Sequence, residues 1–523
     1  MSSPRRITGR TTRRTIGTGA LAAALTVAVA ACSSQAGGPT KSGAGSRVFT
    51  LALTASPGGL DPQASQLGVV QQLGVFLYDS LIHESGDTFK SGLADRWSQR
   101  GKVLKFHLRP GITCSDGEKL TAETVAANLN YVANPKSGSP LANITVPSGA
   151  TATADAAASE VTLTTPSATP FILQGIANLP IICAHGLADR KQLTQGADGT
   201  GPYVLTSSVA GSKYTLSLRS GYSWGPGGAT TATQGLPHSV VVSVVTNETT
   251  TGNLLLNGGI NAGTVAGPDT RRLKAAGLTK HSSTSIYGEL FFNQAANSPL
   301  KSHAIRRGLT QALNLADLRA ASTSGLGSAP TRLTGISPCP QDTVSGNVPA
   351  QDVAAAKAAL APLRGKKLTV RYQSKLGPAA DAAMQLAVKQ WNAAGATVTA
   401  EGQTDTQLLN SVFAKGDFDI AWVPVDGQNP AQTQSYFSGP TPAKGGNNFA
   451  SVKDSTYATY AHQASALAGN AGCGLWAKAD SAMVADSNVV PFADIDYALW
   501  SASSATFSTD FNGVVPLSIR MGK

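Results

Sequence analysis

Charge is scarce in this 523-residue sequence: 14% of its residues are Asp, Glu, Lys or Arg, against 41% that are apolar. A chain so composed is globular rather than disordered, and its length suits two or more domains. Basic blocks are missing too. The formal charge is +11, but Arg5, Arg6, Arg10, Arg13 and Arg14 fall within residues 1–31, which hold no acid; without them 36 basic residues face 30 acidic ones, or +6. No Lys/Arg cluster is interleaved with aromatics, which argues against a nucleic-acid partner. Seven histidines (His83, His107, His185, His238, His281, His303, His462) are dispersed. There is no H-E-x-x-H, no G-x-S-x-G, no G-x-x-x-x-G-K-[ST], and no G-x-G-x-x-G opening a helix after a strand. The chemistry those motifs carry has no foothold here. Asp494 and Asp496 could share one face of a strand, but the sequence identifies no partners for a glycosidase pair. The cysteines form no C-x-x-C and no Cys/His cluster, so a zinc site is not expected. The reading is of a protein that is not an enzyme and has no cofactor or metal.

What is present begins with an export signal. Residues 1–15 are Arg-rich, and Ile16–Ala31 is apolar but shorter than the ~20 residues of a spanning helix. Residues 1–31 therefore read as a signal peptide ending in Val29-Ala30-Ala31-Cys32-Ser33, which resembles a bacterial lipobox with Cys32 as the lipidated residue. Arg13-Arg14 could also mark a twin-arginine signal. Residues 32–46 are Gly/Ser-rich and read as a flexible tether. No later segment reads as a membrane span. Beyond Cys32 stand Cys114, Cys183, Cys339 and Cys473; in an exported chain four cysteines suggest two disulfides in one of three connectivities, with buried thiols as the alternative.

The stretch Trp97–Tyr131 is the most legible part of the body. Leu104, Phe106 and Leu108 alternate with Lys105, His107 and Arg109, as a half-buried strand requires, and Pro110-Gly111 ends it. After Asp116-Gly117, Thr121 can cap a helix with Glu123 in its first turn and Val125, Leu129 and Val132 on one face; Asn134-Pro135 stops it. Arg47–Leu53 and Val161–Thr165 also read as strands. His303–Leu318 reads as one helix with Ile305, Leu309, Ala312, Leu313 and Ala316 on a face, and Ala354–Leu360 as another. Lys367–Tyr372, a helix through Met384 and Trp391 ending at Gly395, Ala396–Ala400, a helix at Gln407–Phe413 and Phe418–Val423 alternate strand with helix, which predicts a mainly parallel α/β lobe. Gly199-Thr200-Gly201-Pro202-Tyr203 lacks P-loop spacing, and its glycines predict positive φ or a close approach of strands.

Phe106, Leu108, Arg109, Gly111, Asp116, Gly117, Leu120, Thr121, Ala122 and Val125 match "F-x-L-R-x-G-x-x-F-x-D-G-x-x-[LF]-T-A-x-D-V". This resembles the extracytoplasmic solute-binding proteins of ABC importers, in the peptide- and nickel-binding family 5. Further segments resemble the family in order: Gly59–Pro62 its "L-D-P", Val75–Ile82 its "[VIL]-Y-[ED]-x-L" helix, Leu93–Trp97 its "L-A-x-x-W", and Gly199–Tyr203 with Tyr222 and Trp224 its "G-T-G-P-Y … Y-W". Tyr287–Asn293 resembles "L-x-[FM]-N", Trp422–Pro430 "W-x-x-D-x-x-[DE]-P" with Asp426 one residue late, and Asn447–Phe449 the "N-x-x-x-[YF]" segment.

The resemblance implies an α/β, two-lobed, periplasmic-binding-protein-like clamp of class II type with an extra subdomain in the first lobe. Its parts would be a first lobe at 47–285 with the subdomain at about 80–198, a second α/β lobe at 286–488, and a segment at 489–523 returning to the first lobe. It further implies disulfides Cys114–Cys183 and Cys339–Cys473, each within one lobe. In peptide-binding relatives the Asp of "W-x-x-D" pairs with the ligand's α-amino group, so Asp426 is the expected anchor, with Trp422, Tyr287, Asn448 and Phe449 lining the ligand site. The expected partners are an oligopeptide or dipeptide and the permease subunits of an ABC importer, with the protein a monomer lipid-anchored at the extracytoplasmic face of the bacterial cell membrane. Alternatives are an oligosaccharide or a nickel or metal-chelate carrier, tested at histidines such as His281, and a lipid-anchored hydrolase.

Overall fold

The computed structural model describes residues 48–522 except Asp87, 334–337, 375–377, Asp426, Gln428 and Gly445; of Ser283 and Asp405 the side chains are not described. Residues 1–31, the tether and Cys32 lie outside the described residues, as does Asp426.

Ten strands of the described residues form one mixed sheet. They are β1 (Val48–Leu53), β2 (Tyr203–Val209), β3 (Lys213–Leu218), β4 (Ser239–Val244), β5 (Ala262–Thr264), β6 (Thr279–Phe292), β7 (Lys367–Gln373), β8 (Thr397–Gln403), β9 (Ile420–Trp422) and β10 (Val489–Ser501). Their order across the sheet is β8-β7-β9-β6-β10-β5-β1-β4-β3-β2. Two of them make it a clamp. β6 and β10 have 14 and 13 residues and pair antiparallel from Thr279↔Ser501 to Phe291↔Val489. At about 3.3 Å per residue each reaches roughly 45 Å, enough to leave one lobe and enter the other.

The first lobe packs Phe49, Leu51, Phe76, Tyr203, Leu216 and Val240 with Phe507, Val514 and Ile519 of the C-terminal segment, which β10 carries back to it. Within this lobe the insertion is a four-stranded antiparallel sheet in the order Ala94–Arg100, Val103–Leu108, Glu160–Thr164, Thr151–Asp155, its apolar residues clustered with those of the helix Ala122–Ala133. That helix starts where the sequence predicts: the Thr121 hydroxyl accepts from Thr124 N at 3.2 Å. In the second lobe β7 runs parallel to both β8 and β9. The strands read as alternating with helices are thus parallel to one another, and β9 joins them to the rest of the mixed sheet by pairing antiparallel with β6.

Three local expectations are corrected. The single helix at His303–Leu318 is two, His303–Gln311 and Leu315–Ser322. Asn314, extended at φ −87°, ψ 98°, caps the second through Oδ1 while Gln390 Oε1 takes its N–H, so backbone and side chain both leave the helix. The helix through Val75–Ile82 ends at Leu77, with Tyr78 extended, because Asp79 is drawn into a buried hydrogen-bond network. The helix at Gln407–Phe413 is a short α-helix, Asp405–Leu409, that widens into a π turn, Asn410–Lys415.

Cys114 is bonded to Cys183 across 69 residues of chain, and Cys339 to Cys473 across 134. Among the described residues no helix is long and apolar enough to cross a membrane.

Candidate functional site

Of the residues that the resemblance singled out, Tyr287 and Trp422 meet where β6, β9 and β10 come together, and Asn448 and Phe449 lie apart from them. β6 slips register between Ile286 and Gly288, and again between Gly288 and Glu289. A Cβ on Gly288 would lie 2.5 Å from the Phe492 ring of β10, so the glycine leaves room for that ring to lie across β6. The slip leaves Tyr287 half-buried. Its carbonyl accepts from Trp422 Nε1 at 2.7 Å, and its ring meets the Trp422 ring edge-on at 5.4 Å between centroids. Burial, with Tyr497 as a nearby acid, pushes the Tyr287 hydroxyl up to about 12, so it is a neutral donor. Trp422 itself is 1% exposed, stacked on Tyr372 and edge-on to Phe492.

Phe449 is equally buried, packed among Phe291, Phe413 and Phe418. The Asn448 amide is committed to backbone: Nδ2 donates to Gly439 O and Val452 O, and Oδ1 accepts from Val452 N at 2.9 Å. These two side chains therefore shape the loop after the helix Pro430–Phe437. Asp426 falls outside the described residues, but both flanks of its segment are held. On one side the buried Glu289 carboxylate accepts from Val425 N at 2.7 Å, and its carbonyl accepts from Val423 N at 3.1 Å. On the other, Asn429 Oδ1 caps the helix Pro430–Phe437 by accepting from Gln432 N.

Glu289, a buried acid that holds the Val425 flank, is the residue of this region that sequence reading passed over. Its signal was present: a lone acid in Tyr287–Phe292, in an otherwise apolar run. Asp494, opposite Ile286 on β10, is the acid that sequence reading set beside Asp496. It is 8% exposed, and its backbone exchanges two 3.0 Å bonds with Ser328 of the second lobe. Asp496, by contrast, is tied up on the surface with Lys280 and Thr284.

Three other motifs converge elsewhere. The Asp79 carboxylate, buried in the first lobe, accepts from Thr200 Oγ1, Tyr222 OH and Trp224 Nε1 at 3.0, 2.8 and 3.1 Å. Desolvation pushes it up to about 7 despite those donors. Asp79 also borders a cavity of about 550 Å³ lined only by first-lobe and C-terminal residues, among them His83, Lys90, Asn178 and Asn512. His281 stacks on Phe507 with Nε2 at 3.2 Å from Ser501 Oγ, and so belongs to the first lobe's packing. Asp116, Glu118 and His185 lie together on the surface.

Two lobes joined by a pair of long crossing strands, with Tyr287, Trp422, Glu289 and Asp494 at the crossing, define a solute-binding clamp. Residues 88–448 match the bacterial extracellular solute-binding proteins, family 5 (middle region), and the chain belongs to that family. Its fold is similar to a substrate-binding protein from Microbacterium hydrocarbonoxydans complexed with 4-hydroxybenzoate hydrazide, at 24% identity and TM-score 0.72 over 91% of this chain and 100% of that one. It is similar also to the dipeptide-binding protein from Pseudoalteromonas sp. SM9913 in complex with Met-Leu, at 17% identity and TM-score 0.72 over 91% and 100%. In sequence, 99 residues are 34% identical to the probable deoxycholate-binding periplasmic protein YgiS of Escherichia coli K12, a match spanning 18% of this chain and 18% of that relative.

Proposed function

We propose that this chain captures short peptides between its lobes and hands them to the permease of an ABC importer, working as a monomer held to the extracytoplasmic face of the membrane by lipid on Cys32. The observation that carries the peptide reading is the anchoring of both flanks of the Asp426 segment. Glu289 binds Val423 and Val425 on one side, and Asn429 begins a helix on the other. Flanks held in this way suit the segment to present an acid to a ligand's ammonium group. In this reading Tyr287 offers a neutral donor and an aromatic wall, while Trp422, Asn448 and Phe449 hold the wall and loop in position. The similar fold crystallised with Met-Leu agrees with this reading.

A second reading follows from the 34% identical stretch shared with the probable deoxycholate-binding protein: a carboxylated apolar ligand without an amine. Native mass spectrometry of the gently purified protein separates them. A ladder of co-purifying short peptides, lost in Asp426→Ala, is expected. A sterol acid, sugar or metal adduct that survives Asp426→Ala sinks the peptide assignment.

A further inference from the structure

One aromatic ring of the inserted subdomain is packed in the other lobe. Phe171 precedes the helix Ile172–Ala177, whose Ile172 and Ile176 belong to the subdomain's own apolar cluster. Phe171 itself, 3% exposed, belongs to the second lobe's cluster, and every other residue of that cluster lies between Phe291 and Val489. Its backbone is left-handed, at φ 57° and ψ 19°. A bulky side chain holds that conformation only where its surroundings impose it. Here the imposing contact is across the lobes.

The neighbouring loop is pinned to Phe171 and makes a second contact of the same kind. A Cβ on Gly175 would lie 2.5 Å from Thr145 O, so the helix after Phe171 sits directly on the 143–147 loop. From the far side Gln432 Nε2 donates to Ile144 O at 3.1 Å. Gln432 is in the first turn of the helix capped by Asn429, the helix that follows the Asp426 segment. Phe171 and Gln432 share one small cavity of about 100 Å³ at this seam.

We propose that Phe171, seconded by Gln432, is the latch of the clamp: a positioning pair that sets the closed population without touching solute. The inference rests on the solute-binding reading, not on which solute is bound. Opening returns the ring to water, which favours closure, while withdrawal lets the left-handed backbone relax, which favours opening. The two opposed terms keep the empty clamp near balance, so that a bound solute can tip it.

The test is pulsed electron–electron resonance on the full chain, without solute, with spin labels carried by unnatural amino acids at the exposed Lys136 and Lys444, one on each side of the seam. Wild type should show a short-distance population that falls roughly tenfold relative to the long one in Phe171→Gly. Glycine removes the ring and, with it, the steric cost of the left-handed backbone, so the shift reads the net of the two terms, and neither lobe's own core loses a residue of its own chain segment. Gln432→Ala should shift the populations in the same direction and by less. A structural strut would lower Tm and leave the distances unchanged. Unchanged distances in both variants, or a wild type lacking the short population, would overturn the latch. With no solute present, failure of the peptide reading cannot produce either result.

Discussion

The Tyr222 hydroxyl stands 2.8 Å from Asp79 Oδ1, at a point where three segments read separately in the sequence come together. Tyr78-Asp79 supplies the acceptor; Gly199–Tyr203 supplies Thr200, and Tyr222–Trp224 supplies two more donors. A fully buried carboxylate is tolerable only with such partners. At pH 8, where Asp79 is mostly ionised, Tyr222→Phe should therefore cost about 1.5–3 kcal/mol in urea unfolding, as expected for a hydrogen bond to a charged group. A loss below 0.5 kcal/mol would mean that Thr200 and Trp224 suffice.

The glycines of Gly199–Tyr203 serve close approach. A Cβ on Gly201 would lie 2.4 Å from Leu77 C and 2.6 Å from Tyr78 N, and backbone atoms cannot swing away as a side-chain tip can. Gly201→Ala should lower stability by roughly 1–3 kcal/mol, the range for overpacking, and should loosen the Asp79 network. Denaturant titration checks the first. Faster exchange of the Ile181 amide, which donates to Asp79 O at 2.9 Å, checks the second.

Asp480 sits fully buried in the helix Cys473–Ala485, and desolvation alone pushes its carboxyl up to about 7. Its folded value lies above its unfolded value of 3.8, so the folded chain holds this proton over a window in which the unfolded chain has lost it. The contribution is full below about pH 4 and is lost as pH rises through about 7. Urea midpoints of the wild type should rise on going from pH 8 to pH 5, and Asp480→Asn should flatten that slope. Equal slopes in the two proteins would refute the assignment.

The sequence carried the strand Val103–Leu108, the cap at Thr121 and the helix Ala122–Ala133 because each depends on residues a few positions apart. It carried the family for a related reason: turn glycines, caps and aromatic anchors are individually local, and their order along the chain is visible without coordinates. The split at Asn314 was illegible, since the Gln390 side chain that takes its N–H lies 76 residues away. Trp422 and Phe449 illustrate the same limit at the candidate site. A ring that lines a cleft and a ring that fills a core are the same letter, and burial to 1–2% exposure is settled by which strands close over them.

What the sequence determined by itself was most of the local elements and, through the order of its family motifs, the two-lobed class. The tertiary structure alone decided the roles that need distant partners. It matched Glu289 with Val425 across 136 positions and Asp79 with Tyr222 across 143, and it brought Gln432 to Ile144 across 288. Propensity and capping act through the nearest few residues, whereas desolvation, carboxylate pairing and lobe closure depend on chain segments that only folding brings within a few ångströms.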